Sequence, residues 1–167
     1  MKSKLFYFLL IPLFAFAFQS CKDKDDNSSA YAEWRAKNEA HIEAIRNNPE
    51  YEAVTIPQGP GTIYRKVLQG SESKDFPLFT DKVKARYKGS FFDGTVFEDA
   101  TGRITEFSVG GGIIQGFTIA FQNMQVGEKW EIQIPWNLGY GSQGKGSIPP
   151  YSALVFELEL VEIIQQK

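Results

Sequence analysis

Two stretches of strict alternation near the end of the chain do most to limit its fold. In Lys129–Pro135, Trp130, Ile132 and Ile134 fall on one side, and Lys129, Glu131 and Gln133 on the other. Leu154–Leu160 repeats the pattern, with Leu154, Phe156, Leu158 and Leu160 opposed to Val155, Glu157, Glu159 and Val161. A period of two sends alternate side chains to opposite faces, so both segments predict strands with one apolar face. Between them runs a loop of Gly, Ser and an Ile148-Pro-Pro150 corner. Gly supplies backbone angles barred to other residues and Pro fixes them, so the loop has a specified shape. That shape holds Tyr140, Ile148 and Phe156 near one another. One aromatic hydroxyl beside a small apolar cluster, with no nucleophile or metal ligand, points to a pocket for an uncharged, apolar group.

The same period recurs upstream. Thr62–Gln69 sets Ile63, Arg65 and Val67 against Tyr64, Lys66 and Leu68, and Lys82–Ser90 sets Val83, Ala85 and Tyr87 against Lys84, Arg86 and Lys88. Asp93-Gly94, between Phe92 and Thr95-Val96-Phe97, is a hairpin signal. Gly70–Phe79 reads as a polar loop. Ile113–Met124 is the one segment here suited to a short helix. Its Gly110-Gly111-Gly112 prefix lacks the Lys-Ser/Thr of a phosphate-binding loop. Antiparallel strands with one short helix predict an α+β fold, a curved sheet folded against that helix with a pocket between them.

The N-terminal part is of another kind. Lys2 and Lys4 precede the uncharged run Leu5–Phe18, which is shorter than the roughly 20 apolar residues of a spanning helix and reads as a secretory signal. Cys21, the only cysteine, follows Phe-Gln-Ser and has no partner for an internal disulfide. Small residues before a cysteine at the end of such a run resemble the cleavage-and-lipidation box of bacterial lipoproteins. That resemblance implies an acylated Cys21 and a protein lipid-anchored in the bacterial cell envelope, at the periplasmic or surface face of the outer membrane. Lys22–Ser29 is charged and poor in apolar residues, the composition of a solvated tether. Ala30–Asn47 predicts a helix capped by Ser28 or Ser29 and stopped by Pro49, with Trp34, His41, Ile42 and Ile45 at helical spacing. It docks on the following domain or on a partner, and its single histidine reads as structural or solvent-facing. Glu50–Pro60 reads as a linker. The expected organisation is a signal peptide over 1–20, a tether over 21–29, a helical extension and linker over 30–59, and a folded domain over 60–167. A net charge of −2 gives no basic stripe for nucleic acid.

Several short motifs then occur in order: Val83–Gly89, Asp93–Phe97, Phe107–Gly110, Ile113–Phe117, Met124–Glu128, Tyr140-Gly141, Ile148–Pro150 and Phe156–Leu160. Together they resemble the FKBP-type peptidyl-prolyl cis-trans isomerases over roughly residues 60–164. The resemblance implies an antiparallel half-barrel wrapped around a short helix, with a pocket for a proline ring and no cofactor or metal. Carried over by position, the wall is Tyr87, Phe97, Ile113, Ile114, Ile148 and Phe156, and the floor is Phe117. Tyr140 and the Ile114 N–H donate to substrate carbonyls, Glu98 ties the rim, and Tyr140, Phe97 and Phe156 form the catalytic set. The implied partners are proline-containing polypeptides.

Such chemistry needs no acid or base, since the amide only has to twist out of its resonance. The resemblance departs at Phe117, where the family has an indole, at Glu98, where it has an aspartate, and at Thr105, where it has an aromatic rim residue. The loop before Ile148 is one residue shorter. Two readings of other classes remain: a module that grips proline segments without turning them over, and an envelope scaffold paired into a homodimer through the Ala30–Asn47 helix.

Overall fold

The computed structural model describes residues 30–164. Cys21, the signal segment, the tether and the two serines expected to cap the first helix lie outside them. Helix α1 spans Ala32–Arg46, with Tyr31 in the N-cap position making no side-chain cap bond, and ends at Asn47. Pro49 follows just beyond, where it bars continuation. Seven strands come next in chain order: β1 Glu52–Val54, β2 Ile63–Gln69, β3 Lys82–Phe91, β4 Val96–Asp99, β5 Thr105–Ser108, β6 Lys129–Ile134 and β7 Leu154–Ile164. Helix α2, Gln115–Asn123, lies between β5 and β6, and a 3-10 turn at Trp136–Leu138 follows β6.

All pairings are antiparallel, and the sheet runs β1-β2-β6-β7-β3-β4. Strand β3 pairs along its whole length with β7. Its other edge is shared, with Lys82–Ala85 facing β5 and Lys88–Ser90 facing β4. The sheet does not close on itself. Its concave face wraps α2, which buries Phe117, Ile119, Ala120 and Phe121. Opposite them lie Val83, Ala85, Tyr87, Trp130, Ile132, Ile134, Leu154, Phe156, Leu158 and Leu160. These are the inward residues that the period of two predicts for β3, β6 and β7.

Three expectations change. The segment expected to be a linker carries β1, which pairs Glu52–Val54 with Ile63–Arg65. In β2 the faces alternate as expected, with Ile63 in the main core and Tyr64 on the opposite face, but burial does not: both are buried, while Val67 and Leu68 are both exposed. Gln133, expected in solvent, is 3% exposed. The last two share a cause, because α1 lies across the convex face of the sheet. Ile42 and Ile45 pack there with Tyr64 and Ala153 in a second small core. His41 Nε2 sits 2.9 Å from Gln133 Oε1, so the lone histidine is structural. Buried Asn38 accepts from the Ala153 N–H at 2.7 Å and donates to the Trp34 carbonyl at 2.7 Å.

Candidate active site

A cavity of about 700 Å³ opens between the concave face, the start of α2 and the loop after the 3-10 turn. Its base is a box of aromatic rings from four elements. Phe117 of α2 meets Phe156 of β7 edge to face at 4.7 Å between centroids. Tyr87 of β3 stands 6.0 Å from Phe117, and Phe107 of β5 stands 5.6 Å from Tyr87 and 5.7 Å from Phe117. Such offset and edge-on arrangements suit the quadrupoles of the rings and leave an apolar recess. Ile113 and Ile114 complete it on one side and Tyr140 on the other.

Of the residues expected at the site, Tyr87, Glu98, Ile113, Ile114, Phe117, Tyr140 and Phe156 meet around this one space. Phe97 and Ile148 do not line it. Phe97 is partly buried beside Phe156, its ring 5.6 Å away and edge to face. This close approach needs Gly89, where a Cβ would come within 2.6 Å of both rings. Ile148 is buried in the same apolar cluster that holds Tyr87, Phe117 and Phe156. Its N–H and C=O exchange hydrogen bonds with Lys145, each 2.9 Å. This tight loop requires Gly144 at φ +67°, because a Cβ there would sit 2.3 Å from the Ile148 oxygen. Sequence reasoning gave no wall position to Phe107, Gln115, Asn137 or Lys145, all of which line the cavity. Phe107 could have been found from its motif. Lys145 carried no signal beyond its place in the glycine loop, yet its ammonium lies 5.3 Å from the Tyr140 ring centroid.

The two phenols differ in what they are free to do. The Tyr87 O–H donates to Glu98 Oε1 at 2.5 Å. Burial, and then that carboxylate, push the Tyr87 pKa up to about 12. Glu98 also reaches Arg103 at 3.4 Å, so its carboxylate bridges Tyr87 and Arg103. Burial raises the Tyr140 pKa as well, with a smaller push from the charge of Glu98, and no hydrogen bond occupies its hydroxyl among the described residues. Tyr140 is therefore a neutral donor facing an apolar recess with nothing yet to donate to. The N–H of Ile114, the N-cap residue of α2, likewise makes no hydrogen bond among the described residues.

The loop bearing Tyr140 is held from both ends. Gly141 donates to the Trp136 carbonyl and Tyr151 donates to the Gly141 carbonyl, each at 2.9 Å. The corner after Ile148 is tacked to α1: Ser152 Oγ donates to the Pro149 carbonyl at 2.7 Å and accepts from Trp34 Nε1 at 3.1 Å. A second cavity, of about 730 Å³, lies under α1 near Trp136. Several of its polar groups are engaged with one another, Arg46 with Tyr64 and Glu39 with Trp136 and Arg35.

Residues 74–161 match the family model described as FKBP-type peptidyl-prolyl cis-trans isomerase. The chain belongs to that family. It is 42% identical over 126 residues to the FKBP-type 22 kDa peptidyl-prolyl cis-trans isomerase of Escherichia coli strain K12, covering 74% of this chain and 59% of that protein. It is 33% identical over 132 residues to the outer membrane protein MIP of Legionella longbeachae, covering 77% of this chain and 54% of that one. Among solved structures, the peptidyl-prolyl cis-trans isomerase of Pseudomonas syringae superposes with a TM-score of 0.71 at 29% identity, over 81% of this chain and 96% of that one. FkpA of Escherichia coli superposes with a TM-score of 0.71 at 28% identity, over 83% and 62%. The chain thus spans little more than half the length of these two curated relatives. The family's half-barrel around a short helix is the architecture seen here, as an open sheet wrapped on α2.

Proposed function

We propose that this chain is a peptidyl-prolyl cis-trans isomerase that binds X-Pro segments of polypeptides in the cavity between Tyr87, Phe117, Phe156 and Tyr140. The observation that carries the proposal is the unpaired Tyr140 hydroxyl over an aromatic recess. A proline ring fills the recess, where it meets the rings of Tyr87, Phe107, Phe117 and Phe156. The Tyr140 O–H and the Ile114 N–H then donate to the carbonyls flanking it. Planar amides resist rotation by about 18–20 kcal/mol because of C–N double-bond character. The twisted amide is less polar than the planar one, so a dry recess favours it. Hydrogen bonds that hold the neighbouring carbonyls while the ring is gripped stabilise the twisted state over either planar state, and each 1.36 kcal/mol of that difference raises the rate tenfold. Tyr87 and Glu98 act together: the carboxylate holds the Tyr87 ring as a fixed wall. Phe97 packs edge to face against Phe156.

The reading extends to the cell envelope. We infer that residues 1–20 direct export and that Cys21 carries the lipid. The motif before Cys21 supports this, and so does the name of the MIP relative, an outer membrane protein. No described helix is long and apolar enough to cross a membrane. Labelling with palmitate in wild type and Cys21→Ala tests the anchor. Pairing of two copies through α1 would have to use its exposed face, since Ile42 and Ile45 lie against the chain's own sheet.

The test of the enzyme is exchange NMR on an X-Pro peptide, which needs no coupling protease. Acceleration of cis-trans exchange by substoichiometric protein is the expected result. Binding without acceleration would leave a module that grips proline segments and would sink the isomerase.

A further inference from the structure

The segment before β3, expected to be a polar loop, instead displays three large apolar side chains: Phe76, Leu78 and Phe79, at 49%, 66% and 56% exposure. They are held outward by the backbone. The Leu78 N–H donates to Asp81 Oδ2 at 2.8 Å, the Asp81 N–H donates back to the Leu78 carbonyl at 3.0 Å, and the Val109 N–H donates to the Asp81 carbonyl at 3.0 Å. Upstream, the Val126 N–H donates to the Asp75 carbonyl at 3.3 Å. Phe79 also lies directly over Gly110, where a Cβ would come within 2.6 Å of its ring. An apolar cluster fixed in water by its own turn marks a binding surface.

Its position says for what. Phe79 forms one wall of a cleft of about 470 Å³ whose other walls include Ile56, Pro60, Gly110, Ile113 and Gln115. Ile113 and Gln115 are also walls of the catalytic cavity. The two spaces are therefore neighbours across the N-terminus of α2, and Leu78 and Phe76 prolong the apolar surface beyond Phe79 toward Ile163. We propose that this cleft and the Phe76–Phe79 turn bind the unfolded polypeptide flanking the target proline, taking an apolar side chain a few residues from it. The proposal rests on the isomerase reading for what occupies the neighbouring cavity. A polypeptide is the occupant favoured over a lipid surface for two reasons. The cleft is concave and continuous with the X-Pro site. The turn also carries Glu72, Asp75 and Asp81 against Lys74 and Lys82, not the basic fringe that an anionic bilayer attracts.

The experiment compares wild type with Phe76→Ser, Leu78→Ser and the double variant, each confirmed folded by its circular dichroism. Two substrates are used: an X-Pro tetrapeptide followed by exchange NMR, and a reduced, alkylated protein whose refolding is limited by prolyl isomerisation. Binding of the same unfolded protein is read by fluorescence anisotropy, and pelleting with anionic vesicles forms a further arm. Exposing rather than burying a Leu-sized side chain changes binding about tenfold, so kcat/KM on the long substrate falls by about that factor in the double variant while the tetrapeptide is unaffected. Equal rates on the long substrate overturn the proposal, and so does an equal loss on both substrates. If wild type turns over neither substrate, the isomerase reading fails. The anisotropy then still decides the docking surface, which is supported by weaker binding of the unfolded protein to the double variant and overturned by unchanged binding. Loss of vesicle pelleting with unchanged polypeptide binding also overturns it.

Discussion

Replacing Asn38 by alanine tests whether the N-terminal helix is part of the folded unit or an appendage. Asn38 is fully buried, and its Oδ1 accepts the Ala153 N–H at 2.7 Å across 115 residues of sequence. Ala153 directly precedes β7 and follows the Pro149–Ser152 corner, which Trp34 of the same helix also holds through Ser152. Truncation removes the acceptor and leaves a main-chain N–H enclosed without a partner, which costs about 1–3 kcal/mol. For a unit of this size, a central loss of about 2 kcal/mol lowers Tm by roughly 6–10 °C. The control is Asn47→Ala on the same helix, whose bonds to Glu43 are exposed and whose loss stays within about 0.5 kcal/mol. Thermal and urea unfolding of the two variants beside wild type measure the difference. A single transition, lowered in Asn38→Ala and unmoved in Asn47→Ala, is expected. If the two variants unfold alike, or if α1 melts in a separate earlier transition, the reasoning is wrong.

Three further outcomes follow from the site. Tyr140→Phe removes a hydroxyl with no protein partner, so Tm holds while kcat/KM for an X-Pro peptide drops roughly threefold to tenfold, the worth of one neutral hydrogen bond; wild-type activity in this variant would remove the donor role. Gly89→Ala drives a methyl into the Phe97 and Phe156 rings, and urea titration should show a loss of about 1–3 kcal/mol together with reduced activity. Tyr51 and Tyr87 both have pKa values raised to about 12, chiefly by burial. The folded state therefore holds those protons when the unfolded chain releases them near 10, so stability is intact below pH 10 and falls between about 10 and 12. Phenolate absorbance should show a late ionisation step near pH 12, and Tyr87→Phe should remove part of it.

How much of this could be read from the chain alone depends on what each segment faces. Strands β3, β6 and β7 have one face on the core, so their period of two showed the inward residues directly. Strand β1 is Glu-Ala-Val, too short to show any period, and only its pairing with β2 reveals it. Gln133 reads as solvent-facing because a helix from far upstream covers its face, and local polarity holds no record of such a cover. At the site, positions carried over from the family found the aromatic recess. Phe97 and Ile148 pack in the apolar cluster beside it, and residue type alone does not separate a side chain on the wall from its neighbour. Phe107 went the other way. Its ring reads as core in any strand, although its place in the Phe107–Gly110 motif marks it, and the geometry shows that it borders open space.

The central claim is that a proline ring sits among Phe117, Phe156 and Tyr140 while its amide is turned. The most direct measurement is a set of intermolecular NOEs between an isotope-labelled X-Pro peptide and the protein, recorded on a sample that also accelerates cis-trans exchange. The account predicts contacts from the proline ring protons to the aromatic protons of Phe117 and Phe156 and to those of Tyr140. Contacts instead to Trp136 and Tyr64 in the cavity beneath α1, or acceleration that persists with no contact to the aromatic box, would contradict it.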